Sequence, residues 1–365
     1  MQVRVNVAMG AGYRDGNSVV RIVGAGQHGP RDQGPEVRLP LQGGLPPVAG
    51  LAGGVVEIAC DESGFSGSNL LDPATPVITH ASVDLHADEA DALIAALRTG
   101  LPELKSGQVL RSPRADETVT WFLTALTGRA HVHLVDKEYF LVTRVVDLFL
   151  AEPTYAAGTR LTQQQRPAAL ALYRAGRRVG SDWDVFLTAF VDLVRTKRRR
   201  DPDGGLVARF FAARDGLVRL GLGPGAEAVL GGLDPIRVRA VVTRLIQDDR
   251  SIPPPLEPML PALAETVLFW SGGQRQVLVT HDEQSALTPD RLRRLQRVLA
   301  NGWPATESPF AGLVTVDSRD DPRVQVADLV AGLARRSAET GYDDLLQPFV
   351  SPTSLHDPGA DAAPL

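Results

Sequence analysis

Three largely apolar runs of this chain stop at a carboxylate. They are Val55-Val56-Glu57-Ile58-Ala59-Cys60-Asp61, Ala130-His131-Val132-His133-Leu134-Val135-Asp136 and Gln276-Val277-Leu278-Val279-Thr280-His281-Asp282. An unpaired carboxylate is very costly to bury, so an acid at the end of a core strand calls for water, a cation or a cleft. Catalytic groups of open α/β sheets gather outside the carboxyl ends of the strands. A fourth acid, Asp328, stands inside Val324-Gln325-Val326-Ala327-Asp328-Leu329-Val330. Four converging carboxylates repel one another unless cations lie between them, and hard oxygen donors select Mg²⁺ or Mn²⁺ over zinc. Two such ions can clamp the attacking and leaving oxygens of a phosphodiester cleavage. The plain alternative is that Asp61 and Glu62 open a solvated loop and that Asp328 lies on the exposed stripe of its helix.

The elements that must position these acids alternate between strand and helix. The first run predicts a strand over 55–61, followed by a polar turn from Ser63 to Asn69 and a second strand over roughly Pro76 to Leu85. Ala90, Leu93, Ile94 and Leu97 recur at helical spacing, so Ala87 to Leu97 is read as a helix, and Thr118 to Leu126 as another. A strand over 130–136 and a helix from Tyr139 to Leu150 follow. Residues 151–272 carry Leu, Ala and Arg at helical spacing, with helices expected over 163–178, 183–198, 206–220, 235–247 and 259–270. Strand character returns at 276–282 and 311–316, with helices over 289–300 and 324–336. Strands and helices on both sides of a helical block argue for an α/β layer fold. The domain reading is a Gly/Pro-rich segment at 1–54, an α/β domain from 55–150 and 273–340, an all-helical insertion at 151–272 and a tail at 341–365.

Composition bounds the function. With 44% hydrophobic and 22% charged residues, the 365-residue chain reads as an ordinary globular protein. A net charge of −5 demands no nucleic-acid partner. The single cysteine, Cys60, excludes an internal disulfide and a cysteine-rich zinc site, and its apolar setting makes it a core thiol. No signal-peptide pattern or membrane-length apolar run is found, so a cytoplasmic location with no membrane association is expected. Val19 to Val23 reads as a short strand leading into Gly24-Ala25-Gly26-Gln27-His28-Gly29, a dinucleotide-binding pattern. Pro30, Gly34 and Pro35 prevent the helix that would hold a pyrophosphate, so no nucleotide cofactor is expected.

Taken in order, Asp61-Glu62-Ser63-Gly64, Glu103-Leu104-Lys105, Val279-Thr280-His281-Asp282-Glu283 and Gln325-Val326-Ala327-Asp328-Leu329 resemble a widespread bacterial family. It is catalogued as domain of unknown function 3800 and looks ribonuclease-H-like. The resemblance covers residues 55–150 and 275–340; the helical block and the N-terminal segment lie outside it. It implies a ribonuclease-H-like mixed sheet flanked by helices, and a Mg²⁺- or Mn²⁺-dependent nuclease or phosphodiesterase. On that reading Asp61 is the first metal ligand, Asp282 a ligand on a later strand, and Asp328 closes the set from the last helix. Asp136 and Glu103 compete for the remaining place, and Lys105 or Lys137 holds a phosphate or balances the acids.

Other residues carry weaker expectations. Glu62 points to the opposite strand face and joins the site only if the strand has ended by then. Ser63 and Gly64 read equally as an ordinary turn or as a turn beside a ligand. His131 and His133 share a strand face and are read as plain strand residues; His281 is a minor candidate for proton transfer. Lys197, Arg198, Arg199 and Arg200 extend a basic run from Arg195, read as a solvated helix end or as contacts to a phosphate backbone. Two rival functions remain: a non-catalytic interaction module on the same fold, and a metal-dependent phosphatase of a small substrate.

Overall fold

β-Branched and apolar runs form strands β1 (Gly44–Leu45), β2 (Val55–Ser63), β3 (Val77–Val83), β4 (Ala130–Asp136), β5 (Gln276–Asp282) and β6 (Phe310–Val316). They are seen in a computed structural model that describes residues 44–47, 54–65, 67, 69–97, 106–109, 113–195, 204–301, 308–340 and 344–357. The strands form one mixed sheet in the order β1-β6-β5-β2-β3-β4. β2, β3 and β4 make an antiparallel meander, whereas β5 and β6 run parallel to β2. Two reversals leave β4 pointing the same way as β2. The carboxyl ends of β2, β4, β5 and β6 therefore share one edge, and Asp61, Asp136 and Asp282 all arrive there.

The helices are α1 (Ala87–Leu97), α2 (Ser106–Val109), α3 (Ala115–Ala125), α4 (Lys137–Phe149), α5 (Arg166–Arg177), α6 (Ser181–Val194), α7 (Gly204–Arg219), α8 (Pro224–Gly231), α9 (Pro235–Ile246), α10 (Met259–Ser271), α11 (Pro289–Asn301) and α12 (Pro322–Thr340). Strand alternation divides them between two cores. Ala59, Ala81 and Val314 pack with α12, α1 and α3 on one face of the sheet. Val56, Ile58 and Cys60 face the other way, into a core continuous with α4 to α11. Residues 151–272 are helical wherever they form a regular element among the described residues, and they share that core with the sheet. α12 is seated directly on β2 and β3, where the buried Thr79 hydroxyl donates to the Ala331 carbonyl at 2.7 Å.

Several expected boundaries shift for physical reasons. β2 runs on through Ser63, because its pairing with β3 continues as far as Ser63 opposite Thr79. β1 and α8 fall where glycine and proline concealed the pattern. The last segment does not hang off the fold. It lies along β4: the Ser351 amide donates to Val132 O (2.7 Å) and the Leu355 amide to Leu134 O (2.8 Å). An open sheet edge is thereby covered. The expected strand at Val19–Val23, the glycine motif at 24–29, Glu103, Lys105 and the cations Lys197, Arg198, Arg199 and Arg200 lie outside the described residues. Among the described residues, no helix is long and apolar enough to cross a membrane.

Candidate active site

β2 and β5 carry two acids to the same point. Their parallel ladder ends with Cys60 beside His281, so Asp61 and Asp282 are the next residue on each strand. Both follow residues of the α12 face, Ala59 and Thr280, by a step of two. α12 lies over that face, and Asp328, half-buried among Ala327, Leu329 and Val330, approaches from above. Only 6% of Asp61 is exposed. Burial raises its pKa well above the usual carboxylate range, and the negative charges of Glu62, Asp328 and Asp282 raise it further. The Glu62 amide, donating to Asp61 Oδ1 at 2.7 Å, opposes this. Asp282 is held through Oδ1 by the Ser318 amide at 3.0 Å. The three expected acids thus converge with no neutralising cation acting on Asp61.

Glu62 lies on the opposite face, as period two requires, because the strand has not ended there. It is nonetheless close enough for its charge to act on Asp61. Gln284 Nε2 donates to Glu62 Oε1, while Glu62 Oε2 is buried without a hydrogen-bond partner among the described residues. Burial raises the Glu62 pKa; His281 and Gln284 lower it, and Asp282 raises it. Gln284 has no sequence pattern that marks it, since its role depends on the β5 loop folding back over β2.

Beneath Glu62 the opposite face is lined with histidines. His281 Nδ1 lies 2.9 Å from the Asp282 carbonyl, and therefore carries the proton. Its Nε2 is left to accept from His80 Nε2 at 3.2 Å, and His80 Nδ1 then accepts from the Thr266 hydroxyl at 2.9 Å. β2 runs between the two rings, and small Cys60 lets them meet above it. Burial, with Asp61 beside it, holds the Cys60 thiol well above its usual pKa, consistent with a core residue. His131 stacks on Phe269 with ring centroids 3.9 Å apart, and His133 stands opposite His80. Burial lowers the pKa values of His80, His131 and His133, that of His131 to about 3.

Two candidates sit apart from the acids. Asp136 ends β4, two strands from β2, and caps α4: its Oδ1 accepts from the Tyr139 amide (2.8 Å) and its Oδ2 from the Tyr173 hydroxyl (2.7 Å). Lys137 is 1% exposed and donates to Thr75 Oγ1 at 2.9 Å.

Charge and donor type at Asp61, Asp282 and Asp328 fit a hard divalent cation, whereas the orphaned Glu62 Oε2 lies on the other face of β2. Spacing does not yet close around one: among the described residues no three His, Cys, Asp or Glu side chains stand together closely enough to hold a metal. Comparison with family models, with curated proteins and with solved structures finds no match to this chain.

Proposed function

We propose that this protein is a divalent-metal-dependent nuclease or phosphodiesterase built on a ribonuclease-H-like sheet, with residues 151–272 as a helical insertion. The carrying observation is Asp61, buried at the end of the central strand, its pKa raised by that burial and then by the charges of three acids. A central strand with an antiparallel meander on one side and parallel strands on the other supports the fold reading. Asp61, Asp282 and Asp328 would hold Mg²⁺ or Mn²⁺, with the charge of Glu62 acting on Asp61 from the other face of β2. A bound ion would supply an activated water and would stabilise the leaving oxygen. The chain's own part is to hold the acids in place: the Ser318 amide fixes Asp282, Gln284 fixes one oxygen of Glu62, and α12 keeps Asp61 from bulk water. Nucleic acid is then the partner, and a cytoplasmic setting suits it.

A non-catalytic interaction module on the same fold is the second reading, and the absence of a closed ligand cage among the described residues favours it. Incubating purified protein with DNA and RNA, with Mn²⁺ or with a chelator, separates the two. Cleavage that needs Mn²⁺ and is lost in Asp61→Asn supports the enzyme; cleavage retained by Asp61→Asn removes Asp61 from the chemistry, and no cleavage by the wild type supports the module.

A further inference from the structure

Ser63 and Gly64 complete the strand-end motif, and both touch one residue far along the chain. Ser63 is two residues beyond Asp61 and on the same face, about 7 Å along the strand. Its hydroxyl accepts from Arg335 Nε at 3.0 Å. Arg335 lies seven residues after Asp328 on α12, two turns on and on the same side of the helix. Gly64 has φ +85°, and a Cβ there would stand 2.3 Å from Val77 O and 2.7 Å from Arg335 Cδ. The glycine therefore does two jobs: it makes the turn, and it leaves room for the arginine stem across it. The guanidinium spends Nη1 on Glu339 at 2.7 Å, in a pair whose side chains are 21% and 22% exposed. Nη2 has no polar partner among the described residues. The buried Lys137 ammonium is near enough for the two charges to repel, and its own hydrogen bond goes to an uncharged hydroxyl. Asp72 and Glu339 are the acids that act on Lys137 in the opposite sense.

We propose that Arg335 anchors the phosphate next to the one seated at the acid cluster, so that the substrate is a strand of linked nucleotides and not a small phosphoester. The proposal rests on the nuclease reading above. A small phosphoester has a single phosphate, which the acid cluster and its ion would occupy. A cation held one short step further along the same face, with Nη2 not engaged among the described residues, meets a phosphate only when a second one follows. Planar guanidinium suits it, because its paired N–H donors match phosphate oxygens. Glu339 is the group that an incoming phosphate would displace.

The test is binding of short fluorescent single strands of DNA and RNA by the full chain in chelator, across a range of salt. Arg335→Ala is expected to bind roughly tenfold more weakly, with a log–log salt slope smaller by about one. Arg335→Lys should recover the slope but only part of the affinity, because it keeps the charge without the fork. Glu339→Gln should bind more tightly than the wild type. Unlabelled mononucleotide should compete poorly with the strands. Should Arg335→Ala prove unfolded by its melting curve, the Lys and Glu339→Gln variants decide the question. Wild type that binds strands while all three variants bind equally, with unchanged slope, overturns the anchor and leaves the nuclease reading standing. Wild type that neither binds a strand in chelator nor cleaves one in Mn²⁺ overturns both.

Discussion

The two faces of the sheet edge bury polar groups of opposite kinds. On the α12 face Asp61, Asp282 and Asp328 converge, and burial with like charge pushes Asp61 toward its protonated form. On the α10 face His80, His131, His133 and His281 are buried, and burial pushes the first three toward their neutral form. The difference teaches which face needs a ligand. Imidazoles can bond to one another, as His281 and His80 do, and burial without a hydrogen-bond partner among the described residues leaves His131 and His133 neutral and not charged. Carboxylates accept but do not donate unless protonated, so they cannot bond to one another, and like charge is left acting on Asp61.

The largest effect expected from this comparison is acid lability. The folded-state pKa values of His80, His131 and His133 lie below the unfolded value of about 6.5. Their contribution is complete above that pH and is lost as pH falls from there toward about 3, the His131 value. Asp61 works in the other sense: its raised pKa means that stability is lost as pH rises from the ordinary carboxylate range through the folded value. Three buried histidines, partly offset by Asp61 and the raised acids Glu62, Asp136, Glu138, Asp147 and Glu265, predict a melting temperature that drops below roughly pH 6. His133→Leu sharpens the test. Both His133 nitrogens are buried without hydrogen bonds among the described residues, and the groups that bear on its charge are His131, Arg166 and His356. The variant should be more stable at neutral pH by about 1–3 kcal/mol and less sensitive to acid. A pH–melting profile identical to that of the wild type would break the comparison.

A smaller effect separates the acids by role. Asp136→Ala removes the cap of α4 and the acceptor of the Tyr173 hydroxyl, at a cost of about 1–2 kcal/mol. Chemical denaturation should show that loss, while any Mn²⁺-dependent cleavage rate stays at the wild-type level. An Asp136 variant of normal stability and no activity would return it to the site.

How legible this was from sequence differs between the faces. The acid face was readable because strand-end acids and an acid in an apolar helix stand out locally, and period two puts Glu62 on the far side. Asp136 shows the limit of that logic. It is also the residue just before a helix, a cap position, so the same carboxylate at a strand end has a structural use that the strand pattern alone does not separate from chemistry. The histidine face was only half visible. His80 sits in an ordinary-looking strand, and its partner His281 lies 201 residues away. Arg335 was hidden for the same reason, because its seat is made by Ser63, 272 residues earlier. Long-range partners leave no local period to read.

The central claim is that the α12 face is a carboxylate cluster waiting for a cation. Melting curves of wild type and Asp61→Asn, each in chelator and across a Mn²⁺ titration, test it without any substrate. Binding to the folded form alone raises the melting temperature with ligand concentration. The account predicts a Mn²⁺-dependent rise in the wild type that is lost in Asp61→Asn, with the variant melting in chelator at or above the wild type because one repelling charge is gone. A wild type indifferent to Mn²⁺, or an Asp61→Asn that melts far below it in chelator, would contradict the account.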